Sequence, residues 1–240
     1  MNTYKVVIRS ATMGESRLNR KEMIFSMKLT DLFSCRSQTS FISAIKKTAL
    51  KLKVLSKEEL EGSDISCQEL QEAWRSSLRV LKEVRKVRDF VAGRWTLEST
   101  HGISHWDRVY ENGMKLVTDD VDPVVVQYFA YLHDSCREDD GNDRLHGERA
   151  ADWIETLRET LLRHLTDQQF NKLQEACRYH TVMSKTGDAT VDACFDADRL
   201  DLWRVGIKPD PERMATCKGA ELAREITEEK MMKLLLSYSY

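Results

Sequence analysis

Residue types that bind divalent metals are spread from residue 105 to residue 198 of this 240-residue chain. The set comprises His105, the adjacent pair His133 and Asp134, then His146, His180 and Asp198. Imidazole and carboxylate together suit a divalent transition metal, and a metal at an open site can make water a nucleophile at neutral pH. The pattern therefore requires a fold that gathers distant segments around a metal, and it favours a hydrolase.

Helix is the expected secondary structure. Only three prolines and ten glycines among 240 residues leave few turn signals for a many-stranded sheet. Apolar residues recur every three or four positions from Leu70 to Val91, which predicts a long amphipathic helix over 66–95. Asp122 before Pro123 predicts a capped helix start, and Thr166 with Gln169 predicts a capping box. Further helices are predicted at 104–117, 123–134, 146–164, 167–180 and 212–234, with loops at 118–122, 135–145 and 181–191.

The first sixty-three residues are predicted to form an extension. Tyr4 to Ile8 has the pattern of a short strand without an evident partner, and residues 41–55 approximate a helical stripe beside several lysines. That basic stretch could contact nucleic acid or an acidic partner, although a solvated helix face is the simpler interpretation. A turn signal at 61–64 marks the boundary. We expect a mostly helical extension of unknown role over 1–63 and a helical metal-binding domain over 64–240.

Charge and cysteine usage narrow the class of protein. A net charge of −2 argues against broad nonspecific binding of nucleic acid. The six cysteines form no CxxC pair, which indicates reduced thiols. The N-terminus lacks the apolar core of a signal peptide, and the most apolar stretch, Val124 to Leu132, is about half a membrane span. We expect a cytoplasmic protein without a membrane partner.

Several segments resemble the HD-domain metal phosphohydrolases and cover His101 to Pro211. They are HGISHWDRVYENG, FAYLHDSCREDDGNDRLHGERAADW, CRYHT and CFDADRLDLWRVGIKPDP. The sequence is most similar to small bacterial HD proteins with a DGxDxxHGxR loop and a DADRLDLxRVGI ending. The resemblance implies an all-α helical bundle, and it implies one divalent metal held by His105, His133, Asp134 and Asp198. Asp198 is preferred over Asp196 and Asp201 because it matches the last ligand position of the family.

His146 and His180 allow more than one interpretation. They complete a second metal site, as in HD proteins that bind two metals, or they bind phosphate or protonate the leaving oxygen. The third alternative is that each is an ordinary hydrogen-bonded histidine. The twelve residues from Asp134 to His146 are fewer than in two-metal members. With Asp134, these two histidines are the catalytic candidates.

A phosphorylated substrate needs cationic donors, because a guanidinium can grip two oxygens at once. Arg144 and Arg149 flank His146 and are the first choices. Arg137 lies in the same segments, whereas Arg199 and Arg204 are expected to pair with Asp196 or Asp201. His101 either contacts substrate or orients His105. The substrate-binding candidates are His101, Arg108, Arg144, Arg149 and Lys185.

The expected activity is hydrolysis of a phosphate ester of a nucleotide-like small molecule. The metal would be manganese, iron, cobalt, nickel or zinc, with one and possibly two ions per chain, because histidine and aspartate accept all of these. Two alternatives stay open. One is an HD binding module that senses a nucleotide or metal, and the other is a di-iron HD oxygenase.

Overall fold

The computed structural model describes residues 4–12, 19–27, 67–97, 100–228 and 231–232. The chain divides into two compact units, Met1–Lys82 and Glu83–Tyr240. This division falls within helix α1 (Cys67–Ala92), whereas the sequence places a domain boundary at 63–64. That boundary stays a prediction.

The described part of the first unit contains a β-hairpin. Strand β1 (Tyr4–Thr12) pairs antiparallel with β2 (Asn19–Met27). The strand predicted at Tyr4 to Ile8 lies within β1 and is confirmed, whereas the expectation of a mostly helical extension is wrong for these residues. The sequence missed β2 because Met23, Ile24 and Phe25 are consecutive and show no alternation, yet each lies opposite a residue of β1. The predicted helical stripe at 41–55 lies outside the described residues.

The described elements of the second unit are all helical, which confirms the all-α prediction for this part of the chain. After α1 come α2 (Ile103–Leu116), α3 (Pro123–Leu132), α4 (His146–Thr156), α5 (Asp167–Tyr179), α6 (Ala189–Arg199) and α7 (Cys217–Arg224). Two short 3-10 helices, Leu202–Val205 and Pro211–Arg213, lie between α6 and α7. Among the described residues, none of the helices combines the length and apolarity needed to cross a bilayer.

Capping chemistry sets several helix ends as predicted. The Asp122 carboxylate accepts a hydrogen bond from the backbone N–H of Val124, with Pro123 in the first turn. Thr166 and Gln169 form a capping box at the start of α5. Helix α6 begins inside the predicted loop 181–191, because Asp188 accepts from two backbone N–H groups and caps it.

Two predicted helices are too long. Helix α4 ends at Thr156 instead of 164, and the Arg158 guanidinium donates to the Leu162 and Leu165 carbonyls in the turns that follow. The predicted helix 212–234 is interrupted: α7 spans 217–224, and residues 228 and 231–232 are helical again. The buried Asp196 carboxylate accepts from the backbone N–H groups of Ala215 and Thr216, and these bonds hold the chain in a non-helical approach to α7.

Helix α3 lies at the centre of the second unit. Nine of its residues, Pro123 and Val125–Leu132, are buried, and α2, α5 and α6 all pack against it. A side chain at Gly113 of α2 would collide with Val126, so glycine permits the close approach of α2 and α3. Because such a helix is fixed on every side by close packing, the residues at its C-terminal end have a defined position.

Candidate metal centre

Six metal-binding side chains from five helices converge in the second unit. Each stands at or near a helix end: His105 in the first turn of α2, His133 and Asp134 after α3, His146 at the start of α4, His180 after α5, and Asp198 at the end of α6. All are buried except Asp198, whose side chain is 18% exposed. The structure thus brings together every residue that the sequence proposed as a metal ligand.

The first set of ligand atoms comes from His105, His133, Asp134 and Asp198. The Nε2 atom of His105 lies 3.2 Å from Nε2 of His133, 3.5 Å from Oδ2 of Asp134 and 3.4 Å from Oδ1 of Asp198. Nε2 of His133 lies 3.5 and 3.8 Å from the same two oxygens. Ligands about 2.1 Å from a tetrahedral metal are about 3.4 Å apart. These five distances are close to the spacing that ligands of one ion require.

The second set comes from Asp134, His146 and His180. Oδ1 of Asp134 lies 3.0 Å from Nε2 of His146 and 3.9 Å from Nε2 of His180, and the two Nε2 atoms are 2.9 Å apart. Since Oδ2 of Asp134 belongs to the first set, this carboxylate directs one oxygen to each set. His180 also lies within ligand distance of His133 and Asp198. The two sets are therefore adjacent and share Asp134.

Hydrogen bonds to the far side of three of the rings fix which nitrogen carries a proton. A carbonyl can only accept, so the ring nitrogen facing it must be an N–H, which leaves Nε2 of the neutral ring with a lone pair. The acceptors are the Phe129 carbonyl for His133, the Cys177 carbonyl for His180 and the Asp201 carboxylate for His105. Nδ1 of His146 faces both the Asp143 carbonyl and the donor Nη1 of Arg137, so its proton is not assigned in this way. Three Nε2 lone pairs and two carboxylates thus face one another, and such a cluster calls for a cation.

The charge states of three ligands, His133, Asp134 and Asp198, also suit a metal. Burial disfavours the charged form of His133 and lowers its pKa to about 3. Burial opposes the ionisation of Asp198, but the neighbouring His133 and His105 outweigh it and lower the pKa of Asp198 to about 2. The pKa of Asp134 is likewise well below its usual range, because contacts with the surrounding histidines outweigh burial. At neutral pH these carboxylates are ionised and His133 is neutral, as metal binding requires.

Two further features favour a cation here. His133 and His180 are the C-caps of α3 and α5, and Asp198 is the penultimate residue of α6, so three helix C-termini, with their partial negative charge, meet at the site. In addition, Oδ1 of Asp198 is buried without a hydrogen-bond partner among the described residues. Buried carboxylate oxygens are normally paired, and a metal would satisfy this one.

Asp201 supports the first set from behind His105. Its buried carboxylate accepts from His105 Nδ1 at 2.7 Å and from the Arg108 guanidinium at 2.7 and 3.0 Å. Arg204 lies 3.8 Å from the same carboxylate, and Arg199 pairs with Asp196, as the sequence predicted. The Arg108 guanidinium thus pairs with Asp201, and its expected contact with substrate stays a prediction. A carboxylate behind a ligating imidazole fixes the ring and raises its basicity.

Replacing Asp201 with asparagine is expected to weaken metal binding at the first set by about 10- to 100-fold. Asparagine keeps the size of the side chain but loses the charge that holds both His105 and Arg108. Titration with manganese or cobalt followed by calorimetry measures the effect. Binding at the second set should be unchanged, and equal weakening of both sets would contradict this role.

The remaining predicted substrate contacts have different surroundings. Nδ1 of His101 lies 3.0 Å from the Asp140 carboxylate, and its ring centre lies 6.2 Å from that of His105. Arg149 donates to the Cys136 carbonyl at 3.1 Å and to the Asp143 carboxylate, so it holds the 135–145 loop together. Arg144 and Lys185 are exposed. Their contacts with substrate stay predictions.

A cavity of about 480 Å³ opens beside the second set. It is lined by Arg137, Gly141, Asn142, Asp143, Arg144, His146, Thr181 and Val182. Arg137 was not among the chosen substrate contacts, although it lies only three residues after Asp134. The signal that could have found it is that spacing, because a chain that turns directly after the metal ligand keeps the third residue close to it.

Gly147 allows the two histidines of the second set to meet. A Cβ atom at this position would lie 2.5 Å from the Cys177 carbonyl oxygen and 3.1 Å from the ring of His180. These distances are below van der Waals contact, so any side chain here would push the start of α4 away from the end of α5. The approach of His146 to His180 therefore requires glycine at 147.

Substituting Gly147 with alanine is expected to lower the metal content of the second set while the first set stays loaded. The forced separation should also cost about 1–3 kcal/mol of unfolding free energy. Elemental analysis after equilibration with manganese gives the stoichiometry. Gly93→Ala is the matched control, because its new Cβ would make only ordinary contacts, the nearest at 3.4 Å. Full occupancy in Gly147→Ala would show that this close approach is dispensable.

Comparison with known proteins gave no match from which a function could be transferred. No family model matches the chain, and neither a curated protein nor a solved structure gives a significant match. The ligand distances, the buried charges and the hydrogen bonds behind the rings are therefore the ground on which a function is proposed.

Proposed function

We propose that this protein is a metal-dependent phosphohydrolase of the HD type, with a two-metal centre bridged by Asp134. The observation that carries the proposal is the position of this carboxylate, whose two oxygens belong to two different sets of imidazoles. Carboxylate-bridged metal pairs about 3.5–4 Å apart are used for hydrolysis of phosphate esters. The resemblance of the HGISHW, LHDSC and DADRLD segments to HD proteins points to the same chemistry.

The donor set fits manganese, iron, cobalt, nickel or zinc. Neutral imidazole and carboxylate are ligands for all of these ions. The first ion would be held by His105, His133, Asp134 and Asp198, and the second by Asp134, His146 and His180. When bound, the metals supply an activated water and offset the negative charge of the phosphate.

The protein's own residues prepare this chemistry. Asp201 and the backbone carbonyls hold the imidazoles so that their Nε2 atoms point inward without a proton. Burial keeps water away from the first set and strengthens its electrostatic interactions. The second set opens to the 480 Å³ cavity, which lies within the usual size range of small-molecule sites. We assign this cavity to the organic part of the substrate, for which a nucleotide-like molecule is our first choice.

Release of inorganic phosphate tests the proposal. The full chain is loaded with manganese, cobalt or nickel and offered nucleoside phosphates, sugar phosphates and p-nitrophenyl phosphate. We expect metal-dependent turnover that chelation abolishes and that is lost in His133→Ala. An absence of phosphate release from every substrate with every metal would contradict the proposed activity.

A di-iron oxygenase is the second candidate. The shared carboxylate favours it, because carboxylate and imidazole together also hold iron pairs. Oxygen consumption by the iron-loaded protein separates the two activities. A sensing module, the other alternative, would bind its ligand with neither phosphate release nor oxygen uptake.

A further inference from the structure

We propose that Arg137 is a catalytic residue that binds the phosphoryl group, and that the substrate is a phosphomonoester. The inference rests on the proposed hydrolase function and names the substrate class of the same site. It is carried by the way in which the chain holds this guanidinium beside the second set.

The guanidinium of Arg137 is clamped by its own loop. Its Nε donates to the Asp139 carbonyl at 3.3 Å, and its Nη2 donates to the Gly141 carbonyl at 2.8 Å. The side chain is only 7% exposed. Two of its three nitrogens are thus tied to the backbone, so little conformational entropy is left to lose when a ligand binds.

The third nitrogen points at the metal ligands. Nη1 lies 3.5 Å from Oδ1 of Asp134, and 3.1 and 3.4 Å from the two ring nitrogens of His146. Arg137 also lines the cavity. Once metals offset the charge of Asp134, the N–H groups of Nη1 are available to an anion that enters from the cavity. A permanently charged, fixed donor beside two metal positions is the arrangement that stabilises a phosphoryl group.

The other arginines of this region are held differently. Arg149 is committed to the Cys136 carbonyl and to the Asp143 carboxylate. Arg144 is exposed at the cavity rim. An ion pair between an exposed arginine and a phosphate contributes little to the free energy of binding. Arg137 is therefore better placed than either to contact the reacting phosphate.

The number of cationic positions points to the substrate class. With a metal in each ligand set, the two ions and Nη1 of Arg137 would together offer three positions for phosphate oxygens. A phosphomonoester has three non-bridging oxygens, whereas a diester has two. In the reaction, a water oxygen bonds to phosphorus, the phosphorus–oxygen bond to the alcohol breaks, and the alcohol leaves with a proton through the cavity.

The test uses the manganese-loaded full chain and three variants, Arg137→Ala, Arg137→Lys and the control Arg158→Ala. Arg158 also donates to two backbone carbonyls, those of Leu162 and Leu165, but it takes no part in the metal sets. Binding of inorganic phosphate is measured by calorimetry, metal content by elemental analysis, and kcat/KM with p-nitrophenyl phosphate and bis-p-nitrophenyl phosphate.

We expect Arg137→Ala to keep both metals, to bind phosphate at least about tenfold more weakly, and to lose about 100-fold in kcat/KM for the monoester. Added guanidinium chloride should restore part of this activity, and Arg137→Lys should fall between the two. Arg158→Ala should behave as the wild type. The monoester should be hydrolysed faster than the diester.

Three results would overturn the inference: equal phosphate binding in Arg137→Ala and wild type, loss of metal instead of phosphate affinity, or no phosphate binding by the wild type. Faster turnover of the diester would overturn the substrate class. If phosphate binding depends on Arg137 but no ester is hydrolysed, the proposed hydrolase function fails and the anion-binding role of Arg137 stands.

Discussion

Replacing Asp134 with alanine is expected to weaken both metal sites at once and to abolish metal-dependent activity. The reason is geometric, because the two carboxylate oxygens of Asp134 belong to different ligand sets. Without this residue the second set keeps only two imidazoles and should lose its ion, whereas the first set keeps three ligands and should bind its ion more weakly. The metal content should fall from about two ions per chain to about one or fewer, measured after dialysis against a moderate excess of manganese. The fold should survive, because α3 is held in place by the packing of its nine buried residues.

Variants of ligands that belong to a single set are expected to lose one metal each. Asp198→Ala removes a ligand of the first set, whereas His146→Ala and His180→Ala each remove a ligand of the second set. Each should therefore retain about one ion per chain. If His146 and His180 contact phosphate instead, their variants should keep the wild-type stoichiometry and lose only activity. Two ions retained in Asp134→Ala would exclude the shared carboxylate.

Metal binding is expected to raise the melting temperature on the order of 10 °C. A ligand present at 1,000 times its dissociation constant stabilises the folded state by about 4 kcal/mol, and each kcal/mol corresponds to about 2–4 °C for a chain of this size. The effect is expected to be large because the ligands come from five helices and assemble only in the folded chain. Thermal denaturation followed by circular dichroism, with manganese and with chelator, measures the shift.

Asp134→Ala is the control for this shift. Its melting temperature should rise less with manganese than that of the wild type, since the second set would hold no ion and the first would keep only three ligands. A wild-type protein whose melting temperature is the same in chelator and in excess metal would contradict the presence of a metal centre. Destabilisation by manganese would do so as well.

The convergence of these histidines and aspartates was predictable because their chemistry is legible in short segments. An adjacent histidine and aspartate at the end of an apolar run place both side chains at the end of a buried helix, where α3 carries His133 and Asp134. Asp196 was correctly excluded from the ligands. It lies two residues before Asp198 on α6, and its carboxylate faces Ala215 and Thr216 instead.

Other features depended on tertiary structure and were missed. The role of Arg108 could not be read from α2 alone, because its partner Asp201 lies 93 positions later in the chain. Arg137 was not chosen as a substrate contact because backbone carbonyls of its loop set its orientation. Such backbone acceptors cannot be recognised from the types of the neighbouring side chains. The hairpin of the first unit was missed because the sequence alone does not show which segment pairs with β1.

Anomalous diffraction from crystals of the manganese-loaded protein tests the central claim most directly. We expect two peaks about 3.5–4 Å apart, one among His105, His133 and Asp198 and the other between His146 and His180, with the Asp134 carboxylate bridging them. A single peak, or two peaks with Asp134 bound to only one of them, would contradict the two-metal centre.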